Sequence, residues 1–491
     1  MQVRRVISGR LLGALCVAAL AAAGPQCISK TVYWSPDGQQ AVIVGRDQTY
    51  VASFDGKLSA PAPASFVQVA WFADSKRLVG VQPKSLMTWA EIQPYLSSDQ
   101  RARIMELAEP FRRQVLAHEG SWEGWRPELN TDVSDREIIQ LWVYIREQHP
   151  EELQRKLGDA WEQFSKLGLP LGQLRLCEVD ETLRPGRVLV ETLDDIATDS
   201  LHVSPDGSKI AYVLRNVRVA EDRSSKTGGT ISDAGGTLMV LALQEGAQPQ
   251  VVESFAAAGS DFTADSRSLV YATTKPVPQG GNLVLGSIER RSIADENGRV
   301  RVGEPEQLVG IIYFPQTRIV CLDDGEILFS AINLVLPMAM AESPKGPTLF
   351  SIRPDARATI VPMLTRSAEA TAPTAAFEHG AFDVRPDGGA VTMLGNGRAG
   401  EVGWYTFATG RLEYVATDNE EWELLERPAW RNNEELSLVA PPGHPWGSPN
   451  RPELILYNIK TKQARCISRN WPDELMNGWK EKTTSTQTRP E

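Results

Sequence analysis

Val203-Ser-Pro-Asp206-Gly207, followed by the apolar run Lys209-Ile-Ala-Tyr-Val-Leu214, is the passage from which the fold can be read. Proline pre-sets the first dihedral of a tight turn, aspartate bonds its own backbone, and glycine takes the left-handed position that ends the turn. The run that follows is apolar on both faces, as expected of a strand sandwiched between neighbouring sheets. Six further copies recur along the chain: Trp34-Ser-Pro-Asp37-Gly38, Trp71-Phe-Ala-Asp74-Ser75, Phe262-Thr-Ala-Asp265-Ser266, Cys321-Leu-Asp-Asp324-Gly325, Val384-Arg-Pro-Asp387-Gly388 and the more degenerate Trp430-Arg-Asn-Asn433-Glu434. Serine or glutamate in the last position carries some backbone strain.

After most of these hairpins comes a third strand, as at Thr49, Thr237, Asn282, Thr348, Val402 and Glu453, and then a fourth. No such four-stranded unit can bury both of its faces alone, and about seven repeats arranged around an axis solve that problem. The expected fold is all-β, a β-propeller of about seven blades, with the poor copies at Cys321 and Trp430 allowing six or eight.

The Ser-Pro-Asp-Gly hairpins, each followed by a strand that ends in an Asp-Gly or Thr-Gly turn, resemble the TolB-type, WD-repeat-like propellers of the bacterial periplasm. The resemblance runs from residue 30 to about 470, apart from one interruption. It implies a propeller fold. It leaves function among partner-binding scaffolds, ligand binders and auxiliary domains of peptidases.

The interruption lies between Trp71 and Val203, where the spacing of copies jumps to 132 residues. Over 86–170 the apolar period becomes helical, and Thr88-x-x-Glu91, Ser97-x-x-Gln100 and Ser134-x-x-Glu137 have the form of capping boxes. Ile104, Leu107, Phe111 and Val115 form one stripe, on a helix expected to bend at Pro110 and stop at Gly120. Ile138, Leu141, Trp142 and Ile145 form a second, and Leu153, Leu157, Trp161 and Phe164 a third. These predict a small all-α insertion in the second blade, capping one face of the propeller. The domain plan is therefore 1–23 a signal peptide, 24–85 the first blades, 86–170 the insertion, 171–476 the remaining blades and 477–491 a disordered tail.

The leader reading rests on Arg4, Arg5 and Arg10 ahead of the apolar run Leu11–Ala23, too short for a membrane span, with cleavage expected near Ala23. Losing three arginines and no acids moves the net charge from -11 to about -14, which disfavours nucleic acid and electrostatic binding to anionic lipid. The expected location is the periplasm or cell envelope, with any membrane attachment made through a lipid on Cys27. A Cys27–Cys466 disulfide is the competing reading, since both sit in Cys-Ile-Ser contexts near the two ends of the fold, and two free thiols are the third.

Signatures of chemistry are scarce. The five histidines, His118, His149, His202, His379 and His444, form no zinc motif, and no Gly-x-Ser-x-Gly elbow occurs. No cofactor, metal or catalytic residue is expected. The turn aspartates are explained by turn chemistry, although distant carboxylates meeting in a central channel would not be visible in sequence. Long irregular stretches cluster between second and third strands, at 86–170, Ala220–Gly236 and Asn333–Pro347, so one face is elaborated. The candidate contact residues are Trp122, Trp125, Leu334, Leu336, Met338 and Met340, each of which could equally be core. These features suggest a scaffold binding a protein, peptide or cell-envelope component. The alternative is a lyase or hydrolase acting on a polymer at the channel mouth.

Overall fold

In six of the seven copies the quoted turn closes as its residues dictate. Gly38, Gly207, Gly325 and Gly388 adopt positive φ, and their N–H groups donate back to the residue after the anchor, as in Gly38 to Ser35 at 2.8 Å. The aspartate accepts from the N–H two residues on, 3.0 Å for Asp37 and 2.9 Å for Asp206. Ser75 and Ser266 hold the same left-handed position at φ 57° and 59°, and they use it. Each hydroxyl accepts the aspartate N–H of the preceding copy, Asp37 at 3.1 Å and Asp206 at 3.0 Å. The last turn differs from its reading by one residue. Asn432, not Asn433, accepts from the N–H two positions on, while Asn433 takes over the serine role by accepting from Asp387 N–H at 3.2 Å.

This computed structural model describes residues 31–122, 125–215, 236–275, 285–296, 299–312, 317–335, 348–353, 359–360, 377–395, 402–415, 426–476 and 479. The leader, Cys27, Leu336, Met338 and Met340 lie outside them. The chain forms two compact units.

The β unit contains six sheets among the described residues, with strands numbered in chain order. The first sheet holds β1 (Val32–Trp34), β2 (Gln40–Val44) and β3 (Thr49–Ser53). The second holds β4 (Gln68–Trp71), β5 (Arg77–Leu86), β6 (Leu169–Val179) and β7 (Leu183–Thr192). The third has nine strands: β8 (His202–Val203), β9 (Lys209–Arg215), β10 (Gly236–Ala242), β11 (Gln250–Phe262), β12 (Ser268–Lys275), β13 (Leu285–Glu296), β14 (Arg299–Val302), β15 (Glu306–Ile312) and, from beyond the next two strands, β18 (Asn333–Leu334). The fourth holds β16 (Ile319–Cys321), β17 (Ile327–Ala331), β19 (Thr348–Ile352) and β20 (Thr359–Ile360), with β18 (Asn333–Leu334) leaving between them to join β15. The fifth holds β21 (Phe377–Val384), β22 (Ala390–Gly395), β23 (Val402–Thr406) and β24 (Arg411–Tyr414). The sixth holds β25 (Glu426–Trp430), β26 (Glu435–Ala440), β27 (Glu453–Asn458) and β28 (Gln463–Cys466).

The third sheet is large because β11 is long. Its first half pairs with β10 and its second half with β12, and Ala256 touches both. The stretch from Asn333 read as an irregular loop likewise begins as an edge strand.

Consecutive sheets are joined all the way round. Trp71 Nε1 donates to Tyr33 O at 2.9 Å, Gln68 Nε2 to Ala197 O at 2.9 Å, Cys321 N–H to Asp261 at 2.9 Å and Trp430 N–H to Asp383 at 2.8 Å. Arg318 pairs with Asp383 at 3.3 Å between the fourth and fifth sheets. Trp34 Nε1 donates to Ser437 Oγ at 2.9 Å and brings the first sheet against the last. The unit is mostly β with a propeller-like arrangement. Ile467, Trp471, Leu475, Met476 and Trp479 pack into the apolar cluster of the first and last sheets. The stretch 477–491 is therefore not tail throughout, because the large indole of Trp479 is 1% exposed.

The helical unit comprises Pro83–Gly172 with Glu191–Leu193. All three capping boxes form, with Thr88, Ser97 and Ser134 as N-caps. Ser98–Ala117 carries Pro110 in its interior and ends three residues before Gly120, and Asp135–Gln148 carries the second stripe, whereas the third stripe is divided between Pro150–Leu157 and Trp161–Ser165, separated by Gly158–Ala160. Ile104, Phe111, Val115, Leu141, Trp142, Ile145, Leu153, Leu157 and Phe164 are buried together. In chain order these helices follow β5 and precede β6. No helix among the described residues is long and apolar enough to cross a membrane.

Candidate functional site on the innermost strands

The innermost strand of each sheet has a free edge, so some of its N–H groups have no ladder partner. Side chains answer that need, and their positions follow from strand alternation. The anchor residue of each copy points back toward the preceding sheet, as Trp34 does to Ser437. The residue before it points forward, as Tyr33 does into the cluster containing Val69 and Leu78. Along the chain those forward residues are Tyr33, Ala70, His202, Asp261, Val320, Asp383 and Ala429.

Two of them are carboxylates with the same task. Asp261 accepts the N–H of the next anchor, Cys321, and Asp383 that of Trp430. Asp261 also accepts Phe262 N–H at 2.9 Å, and its Oδ1 lies 3.7 Å from His202 Nδ1. Arg318 stands between them, 3.3 Å from Asp383 and close enough to act on both Asp261 and Tyr33. The His202, Asp261, Arg318 and Asp383 side chains remain 26%, 23%, 38% and 15% exposed, so solvent reaches the cluster.

Burial raises the Asp261 carboxyl to about 6 against the two N–H groups and Arg318, which favour its charged form. Burial raises the Tyr33 phenol too, and Asp199 adds to the effect while Arg318 opposes it. Cys321 is held well above the ordinary thiol range by burial and then by Asp261, and burial takes Cys177 to about 11. Both sulfurs stay protonated and are poor nucleophiles. Among the described residues no group of three His, Cys, Asp or Glu side chains is arranged to hold a metal ion. The cluster can offer one guanidinium, two carboxylates and an imidazole to a polar ligand.

The residues singled out from sequence lie elsewhere. Trp122 and Trp125 belong to an aromatic cluster of the helical unit, 5.4 Å apart, with Trp122 5.5 Å from Phe164 and Trp125 6.1 Å from Phe111. Leu334 is buried with Ile311 and Phe329 in the β unit, while the neighbouring Val335 is 44% exposed. Cys466 is half-buried, its Sγ 3.7 Å from Glu453 Oε2. The innermost-strand cluster went unseen in sequence. Its signal is the column of residues one before each anchor, visible only when the seven copies are stacked in register.

No family model and no curated protein matches this sequence. Among solved structures the chain is similar to a puromycin hydrolase, at 14% identity and a TM-score of 0.43, covering 93% of this chain and 56% of that one. It is also similar to a puromycin-hydrolyzing peptidase of Mycobacterium tuberculosis, at 12% and 0.38, covering 62% and 44%. A third likeness is to a TolB of Agrobacterium tumefaciens, at 11% and 0.33, covering 57% and 83%. The chain thus spans about half the length of the hydrolase. The propeller-like arrangement is read from strand pairing and the ring of inter-sheet bonds, not from these likenesses.

Proposed function

We propose that this chain is an exported binding protein rather than a hydrolase. In this reading the nine-stranded sheet counts as two blades sharing β11, which makes seven, and the helical segment is an insertion in the second. A protein, peptide or cell-envelope component is engaged at the end of the β unit that carries the long connections.

One observation supports this above the rest. The first-to-second-strand connections are uniform, five residues in six copies, as at 35–39 and 204–208, and four at 431–434. Second-to-third-strand connections run from 45–48 through 441–452 to 87–168. In an antiparallel meander these two sets leave from opposite ends. In a repeated scaffold with uniform first-to-second turns, long and unequal connections are where a binding surface is built.

Photo-crosslinkers at exposed Asp47, in a second-to-third connection, and Met105, in the helical unit, test this against Gln39 and Lys76 in the short turns. Capture of an envelope component from the first pair alone is the expected result. Capture from the short-turn pair, alone or equally, overturns it. Intact mass of the exported protein separates a lipid on Cys27 from a Cys27–Cys466 bridge.

The enzymatic reading has one observation in its favour, the 3.7 Å approach of His202 to an aspartate poised near neutral pH. It predicts turnover of a polymeric substrate that H202A and D261N abolish. Unchanged turnover in both variants removes it.

A further inference from the structure

At the seam between the first and last sheets, two open clefts of about 540 and 650 Å³ lie side by side and share Arg469. The smaller is bounded by the Asp55–Gly56 turn that follows β3, by Trp446 from the 441–452 connection, and by Arg465, Arg469 and Asn470. Its walls are fixed. Trp471 Nε1 donates to Gly56 O at 2.8 Å and Arg465 to Phe54 O at 3.0 Å. Gly56 sits at φ +93°, where an added Cβ would fall 2.3 Å from Ile467 O, so the two segments approach as closely as backbone allows. The indole of Trp446 is stacked on Tyr457 at 5.6 Å and 24°, and the His444 ring meets it at 5.0 Å. His444 Nδ1 also accepts the Trp446 N–H at 3.2 Å.

Against these rigid walls stand two uncommitted groups. Arg469 and Asn470 are exposed, and neither side chain has a hydrogen-bond partner among the described residues. By contrast Arg465 is engaged with Phe54 O and Glu435, and Asp55 Oδ1 with its own turn. In the adjoining cleft Arg451 is held by Glu453, Asp473 and the carbonyls of Ser468, Arg469 and Trp471.

A pre-set aromatic face, a free guanidinium and a free amide define the chemistry of an occupant. The indole suits a ligand with one flat apolar face, the amide suits hydroxyl groups, and the guanidinium suits a carboxylate held in bidentate fashion. A buried drug-like ligand would need an enclosed apolar pocket. A pyranose ring bearing a carboxylate satisfies all three groups at once. We propose that this seam cleft binds an acidic saccharide, with one ring on Trp446, its carboxylate on Arg469 and its hydroxyls on Asn470, the chain continuing into the adjoining cleft. The cleft shares the 441–452 connection with the end proposed above as a binding surface and contains none of the residues of the His202–Asp261 cluster.

Calorimetric titration of the full chain with hyaluronan hexasaccharide is the test, with chitohexaose as the neutral arm and inorganic phosphate as competitor. Hyaluronan binding with a Kd below about 1 mM is expected. R469A should weaken it about tenfold or more and N470A by less, while both keep the parent's melting temperature because neither side chain supports the fold. R469K should recover only part of the loss, since lysine keeps the charge without the fork. The proposal fails if the native chain does not bind the hexasaccharide or if R469A binds it as well. It fails equally if chitohexaose binds as tightly, or if phosphate at equal concentration displaces the sugar.

Discussion

Ser75 shows how a locally unfavourable residue is retained by its neighbours. Its left-handed φ of 57° costs about 1 kcal/mol relative to glycine, and its hydroxyl returns a hydrogen bond to Asp37 of the preceding copy. Ser75→Ala keeps the strain and loses the bond, so a loss of about 1–2 kcal/mol is expected in urea denaturation. Ser75→Gly trades one effect for the other and should lie within about 0.5 kcal/mol of the parent. Asp261 carries the opposite lesson, because its burial favours the neutral form. Its folded value of about 6 exceeds an unfolded value near 3.8, so its contribution is most favourable below pH 4 and declines as pH rises through 6. The decline is on the order of 2–3 kcal/mol before allowance for partial exposure. Turn aspartates act in the reverse sense. Burial opposes ionisation of Asp206, but hydrogen bonds from Ser204 and Ser208 win and hold it at about 2, so its contribution falls away only in strong acid. D261N preserves an acceptor for Cys321 N–H. Its melting temperature relative to the parent should therefore climb between pH 4 and 6.5, and a flat difference would contradict the assignment.

Among elements, those governed by near neighbours in sequence were the legible ones. Each capping box is complete within four residues, and Ser134 and Glu137 satisfy each other's N–H as their spacing implies. Ser134→Ala should cost about 1 kcal/mol, read as a lower urea midpoint with an unchanged slope. The turns were legible for the same reason, apart from the one-residue slip at Asn432, where a shorter turn moved the acceptor. The double use of β11 was not. Nothing in Gln250–Phe262 says that its two halves pair with different strands, because register there depends on Gly236 and Thr273, far away in the chain. The forward-pointing column was hidden similarly. Asp261 and Asp383 are chosen by N–H groups of the next sheet, and a turn-centred reading assigns no role to the residue ahead of the anchor.

For the whole β unit, the decisive feature is the junction of its two ends. Ile467, Trp471, Leu475, Met476 and Trp479 join Trp34, Ile43 and Tyr50 in one cluster, and their burial is worth on the order of 10 kcal/mol. That is comparable to the net stability of a typical domain. A chain ending at Cys466 should therefore lose its cooperative thermal transition and become protease-sensitive. A chain ending at Trp479 should melt like the parent. Equal melting of both would show that the C-terminal aromatic residues are dispensable. Reading 477–491 as one polar tail missed Trp479 because a lone tryptophan in polar surroundings has no period to betray its burial.

The junction also sets an order of events during biosynthesis. A polypeptide emerges amino end first, so the flank bearing Trp34, Ile43 and Tyr50 waits for residues 467–479 until everything between them has been made. Throughout that interval an apolar sheet face stands uncovered, and this protein should lean on a holding chaperone until residues 467–479 arrive.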